Sequence, residues 1–119
     1  MKALLKELTT LQKMLELAAE AAGINIVQRN GIFVRCGDDI NPPLPWEPLD
    51  NSEDAFELAV ICKIDILFGT YSVEAIANTG NPECEPFGIM EYGDNQLAAT
   101  RRAIVRCAAQ IQLAKEDNV

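Results

Sequence analysis

Leucines and alanines recur along the start of the chain at alternating intervals of four and three, at Leu4, Leu8, Leu11, Leu15, Ala18 and Ala22. On a helix of about 3.6 residues per turn these positions make one apolar stripe. Lys6, Lys13, Glu16 and Glu20 fall on the opposite side, and Gly23 stands where a helix commonly closes in the left-handed conformation. The period then shortens. "INIVQRNGIFVRC" has two short β-rich runs around Asn30-Gly31, a pair suited to the positive φ angles of a tight hairpin turn. The loop "GDDINPPLPWEPLDN" follows, and its prolines exclude both a helix interior and a central strand.

A second helix is predicted to begin at Asp50 or Asn51, either of which can cap it. Asp50 with Glu53 has the spacing of a capping box, and Glu53 and Asp54 suit the helix dipole. Ala55, Leu58, Ala59 and Cys62 form its apolar stripe. "IDILFGTYSVEAIAN" predicts a second hairpin, with Ile64, Ile66 and Phe68 on one face and Val73, Ala75 and Ala77 alternating after the turn. After the loop "TGNPECEP", "FGIMEY" is a further short strand. The last helix starts at Asp94 or Asn95 and runs to about Lys115. Leu97, Ile104, Ala108 and Ile111 make its seam, widened by Val105 and Cys107, with Arg102, Arg106 and Gln110 on the far side. Arg101 lies about 40° from Leu97, on the apolar arc. The order α-β-β-α-β-β-β-α predicts one domain over residues 1–119. Its expected class is an α/β sandwich of α+β type, an antiparallel sheet of about five strands packed with three helices.

Composition narrows the function. Hydrophobic residues make up 49% of the 119 residues, enough for a packed core. No apolar run approaches the roughly 20 residues of a membrane span, and the charged N-terminal stretch lacks a signal peptide's apolar region, so the expected location is the cytoplasm. There is no histidine, which removes His-based triads and metal centres and leaves any cysteine nucleophile without its usual activator. Cys36, Cys62, Cys84 and Cys107 are spaced too widely for a zinc motif and read as reduced, mostly buried thiols. The net charge is −8, and residues 23–94 hold Arg29, Arg35 and Lys63 against thirteen carboxylates. An acidic middle disfavours nucleic acid and favours a solvated acidic surface or a basic protein partner.

Two blocks resemble a known family. "WEPLDNSEDAFELAV" and "AATRRAIVRCAAQI" are similar to the conserved blocks of the phage alpha-beta-alpha sandwich domain, small proteins of tailed phages and prophages. The resemblance implies a phage or prophage origin, hence a bacterial host cell, and transfers no catalytic residue and no cofactor.

Few side chains stand out as candidate sites. Trp46, in a proline-stiffened loop, is expected to be a lid on the core; as an exposed side chain it would instead anchor a partner, with Asp50 and Asp54 beside it. Arg101 on an apolar arc needs water or a partner, and Asp50 and Asp54 are expected to supply it. The alternative is capture of a small anion by Arg101 and Arg102 near a helix N-terminus. Asp38-Asp39 and Glu53-Asp54 lack calcium-loop spacing, so no metal site is expected. Leu17 and Leu113 fall off their helices' stripes and hint at a second contact surface, such as a homo-oligomer interface. The expected function is binding of a host or phage protein through the acidic surface, without catalysis.

Overall fold

In a computed structural model of the chain, which describes residues 2–37, 44–78 and 87–117, Asn30 and Gly31 take φ angles of 53° and 83°. They close the expected two-residue hairpin between β1 (Ile26–Arg29) and β2 (Ile32–Arg35). The remaining elements follow in the predicted order: α1 (Lys2–Ala22) precedes the hairpin, and α2 (Ser52–Cys62), β3 (Ile64–Phe68), β4 (Ser72–Ala77), β5 (Phe87–Tyr92) and α3 (Gln96–Asp117) come after it. The fold is α+β. Among the described residues five strands, all in antiparallel pairs, form two sheets, β1-β2 and β3-β4-β5, in place of the single five-stranded sheet expected.

Local chemistry explains the helix ends. Asn51 is extended and its side-chain oxygen accepts the Asp54 N–H at 3.1 Å, so Asn51 is the cap of α2. The Asp50–Glu53 capping box does not form; the Asp54 carboxylate instead accepts the Glu47 N–H at 2.9 Å, seven residues back. Lys63 ends α2 in the left-handed region, at φ 58°. The Asn95 side chain caps α3 by accepting the Ala98 N–H at 3.1 Å.

α3 is the central element. It packs on all three strands of the larger sheet, along α1, and against α2. Ala99, Ala103, Ile104, Val105, Cys107, Ala108 and Ala109 are buried as a result, so the helix is apolar around most of its girth. Its alanines let the neighbouring elements approach closely. On the sheet, strand alternation sends Val73, Ala75 and Ala77 of β4 toward α3, and all three are buried.

Four positions differ from the sequence pattern, one of them Leu11 of the α1 stripe, which is 41% exposed. Leu97 is 69% exposed, because it lies at the first turn of α3, before the core begins. Phe68 shares the inward parity of Val73 yet is 66% exposed at the tip of the β3–β4 hairpin. Leu17, predicted off the stripe, is buried with Ala18 and Ala19, because α1 packs against both α3 and α2 and so buries a wider arc. Leu17 therefore offers no second contact surface, and Leu113 is half-buried. The side chains of Leu4, Lys6 and Leu8, the pair Asp38-Asp39, and the "TGNPECEP" loop with Cys84 lie outside the described residues.

Candidate functional site

The proline loop delivers Trp46 to the interior. Leu44 and Trp46 bond to β2 through their backbones: the Arg35 N–H donates to the Leu44 carbonyl at 2.7 Å, and the Trp46 N–H donates to the Phe33 carbonyl at 2.9 Å. Val34 and Pro45 form an isolated antiparallel bridge between them. This short paired stretch puts the indole into the core, where it is 1% exposed and belongs to the same buried cluster as Phe33, Ala18 and Leu58. Among the described residues its Nε1–H has no hydrogen-bond partner. A side chain so placed closes the core and exposes almost no surface. The downstream end of the loop is pinned by the bond from Glu47 to Asp54 and by the Asp50 and Asn51 N–H groups, which donate to the Glu47 carbonyl.

Asp50 is exposed and Asp54 half-buried, the latter already accepting a backbone bond. Trp46 and Asp50 line one open cleft of about 230 Å³ between α1, the β1–β2 hairpin and the loop, whose apolar walls include Leu11, Leu15, Ile32 and Leu49.

The two adjacent arginines of α3 reach to different elements. Arg101 is half-buried; its Nε donates to the Leu49 carbonyl at 2.8 Å and its Nη1 to the Ser52 hydroxyl at 3.0 Å. The expected carboxylate partners are thus replaced by the carbonyl and hydroxyl that flank Asp50, and Arg101 joins the two blocks "WEPLDNSEDAFELAV" and "AATRRAIVRCAAQI" by hydrogen bonds. Arg102 turns toward β5, donating to the Tyr92 carbonyl at 3.3 Å and lying 3.9 Å from the Glu91 carboxylate, which Arg106 also pairs at 2.7 Å. The structure does not bring Arg101 and Arg102 together around one anion.

Two of the thiols, Cys62 and Cys107, are poorly suited to nucleophilic chemistry. Burial, with a smaller contribution from Cys62, pushes the Cys107 thiol up to about 12. Burial also raises Cys62, partly offset by Lys115. A thiol held in its neutral form is a weak nucleophile and metal ligand. Among the described residues no three Cys, Asp or Glu side chains converge to hold a metal ion.

The surface missed at the sequence level is the outer face of the β3-β4-β5 sheet. α3 covers the face that bears Val73, Ala75 and Ala77; no described element covers the other. The register places Leu67, Glu74 and Met90 in one row across this outer face and Asp65, Ile76 and Gly88 in the next. Tyr92 shares the face, and its hydroxyl donates to the Met90 sulfur at 2.8 Å. Leu67, Met90 and Tyr92 are 56%, 45% and 67% exposed. The Glu74 side chain lies over Gly88, where a Cβ would run into its carboxylate. A second exposed apolar group, Phe56 and Val60, stands one turn apart on α2.

No family model matches the chain, and no curated protein or solved structure is significantly similar to it. No helix among the described residues is long and apolar enough to cross a membrane.

Proposed function

We propose that this is a small phage- or prophage-encoded accessory protein that works in the bacterial cytoplasm by binding another protein, without catalysing a reaction. One observation carries the reading: Phe68, Tyr71 and Tyr92 are each about two thirds exposed on a chain of net charge −8. Exposed aromatic side chains forgo hydrophobic stabilisation that burial against a partner would recover. They are also the residue types that dominate interface energetics. The acidic charge selects a basic partner and speeds encounter with it. The lack of histidine and the neutral thiols of Cys62 and Cys107 support binding over chemistry. The phage origin rests on the resemblance of the Trp46 and Arg101 blocks alone. Anion capture at Arg101 and Arg102 is the weaker alternative, since each guanidinium already serves a different element.

Affinity capture from a bacterial lysate tests this reading. The wild-type chain should retain a host or phage protein that re-forms the complex when both are purified, and a Phe68→Ser, Tyr71→Ser, Tyr92→Ser triple variant should lose it. Identical retention by the two chains would reject the proposal.

A further inference from the structure

We infer that the open face of the β3-β4-β5 sheet is the docking surface, and that its occupant is a cationic amphipathic helix presented by another protein. The inference deepens the proposed binding function and rests on it.

Strand parity sorts the charges of this sheet. Glu91 of β5 points to the helix side, where Arg102 and Arg106 neutralise it and leave its side chain 17% exposed. Glu74 and Asp65 have the opposite parity and stand on the open face. Among the described residues neither has a cation partner, and the register puts no lysine or arginine on this face; Asp65 accepts only the Asn78 amide. Glu74 sits at the centre, flanked by Leu67 and Met90, so anything that covers the apolar side chains also covers its carboxylate. Burying that charge unpaired is costly, whereas burying it against a lysine or arginine restores a charge-assisted bond. A second copy of the chain placed face to face would bring Glu74 and Asp65, the charged side chains that the register puts on this face, against their own like charges, which opposes self-association.

The dimensions fit one helix. Three strands span about 14 Å and a helix is about 10 Å across. A helix with leucine-like residues over Leu67, Ile76, Met90 and Tyr92, and lysine or arginine over Glu74 and Asp65, would cover this face as α3 covers the other. It would complete a helix–sheet–helix layering.

The test uses the full chain and a labelled synthetic helix of about 14 residues, with leucine on one face and lysine on the other, beside a counterpart carrying glutamate for lysine. Fluorescence anisotropy at near-physiological salt should show binding of the cationic peptide and none of the anionic one. Glu74→Lys and Met90→Asp should each weaken binding by about tenfold or more. Glu53→Lys and Phe56→Ser on α2 should leave it within about twofold, about 0.4 kcal/mol. All four positions are exposed or half-exposed, and circular dichroism checks that each variant is folded. Equal weakening by the sheet and α2 variants would mean that attraction is diffuse, overturning the face assignment while leaving acidic binding intact. Failure of the wild type to bind the cationic peptide also overturns the inference, and lysate capture then decides independently whether the protein binds any partner. Sedimentation of the chain alone should show a monomer; a dimer that Leu67→Asp dissolves would assign the face to a second copy and overturn the inference.

Discussion

Replacing Trp46 with alanine measures how far the proline loop contributes to the core. The indole is 1% exposed, and a buried tryptophan withdraws about 200 Å² from water. At about 25 cal/mol per Å² that corresponds to roughly 5 kcal/mol, and measured losses for such truncations run at about 3–5. A domain of this size has about 5–15 kcal/mol in total, so Trp46→Ala removes a large share of it. Trp46→Phe is a sharper probe. It gives up part of the ring volume but also deletes an Nε1–H that has no partner among the described residues, and relief of a buried unsatisfied donor is worth about 1–3 kcal/mol. The phenylalanine variant should therefore keep most of the stability that alanine loses. Urea unfolding followed by far-ultraviolet circular dichroism reads both, and the wild-type indole should emit at short wavelength and resist acrylamide quenching. A loss below about 1 kcal/mol for Trp46→Ala, with an unchanged slope, would refute the assignment of Trp46 to the core.

The other predictions concern caps, arginines and thiols. Arg101→Ala should cost about 1.5–3 kcal/mol in urea unfolding, because two bonds from a charged donor are lost at a half-buried site. Arg102→Ala, whose side chain is 43% exposed, should stay within about 0.5; equal small effects would deny Arg101 its linking role. Asn51→Ala should destabilise by about 1 kcal/mol through loss of the bond to the Asp54 N–H, and Asp50→Ala by much less if Asn51 is the cap. Above about pH 9 the unfolded chain releases the Cys107 proton that the native chain keeps until about 12, so stability falls as pH rises through that window. Urea midpoints at about pH 8 and 10 should fall more in the wild type than in Cys107→Ala.

Elements with a local chemical signature were legible in the sequence, and elements defined by their neighbours were not. Asn30-Gly31 announces its turn because few other pairs tolerate two positive φ angles. The α2 stripe at Ala55, Leu58 and Ala59 is clear because only one side of that helix is covered. α3 is covered on most sides, so alanines smear its amphipathic signal, and Leu97 was drawn into a seam that begins a turn later. The division into two sheets has no counterpart in a period of two, which identifies strands but not their partners. Arg101 was visible as an anomaly, yet its main acceptor is the Leu49 backbone carbonyl, a group that every residue carries. The outer sheet face was hidden for a related reason. Alternation in "FGIMEY" and "IDILF" separates two sets of side chains, and only tertiary packing decides which set α3 covers.

Amide mapping by heteronuclear NMR during titration with the leucine–lysine peptide tests the central claim most directly, because it locates contact without perturbing the chain. The account predicts the largest shifts at Asp65–Leu67, Glu74–Ile76 and Gly88–Tyr92, with the Trp46 indole resonance unmoved. Largest shifts at the Trp46 indole, Leu11, Leu15 and Ile32 would contradict it and make the cleft beside the proline loop the working surface.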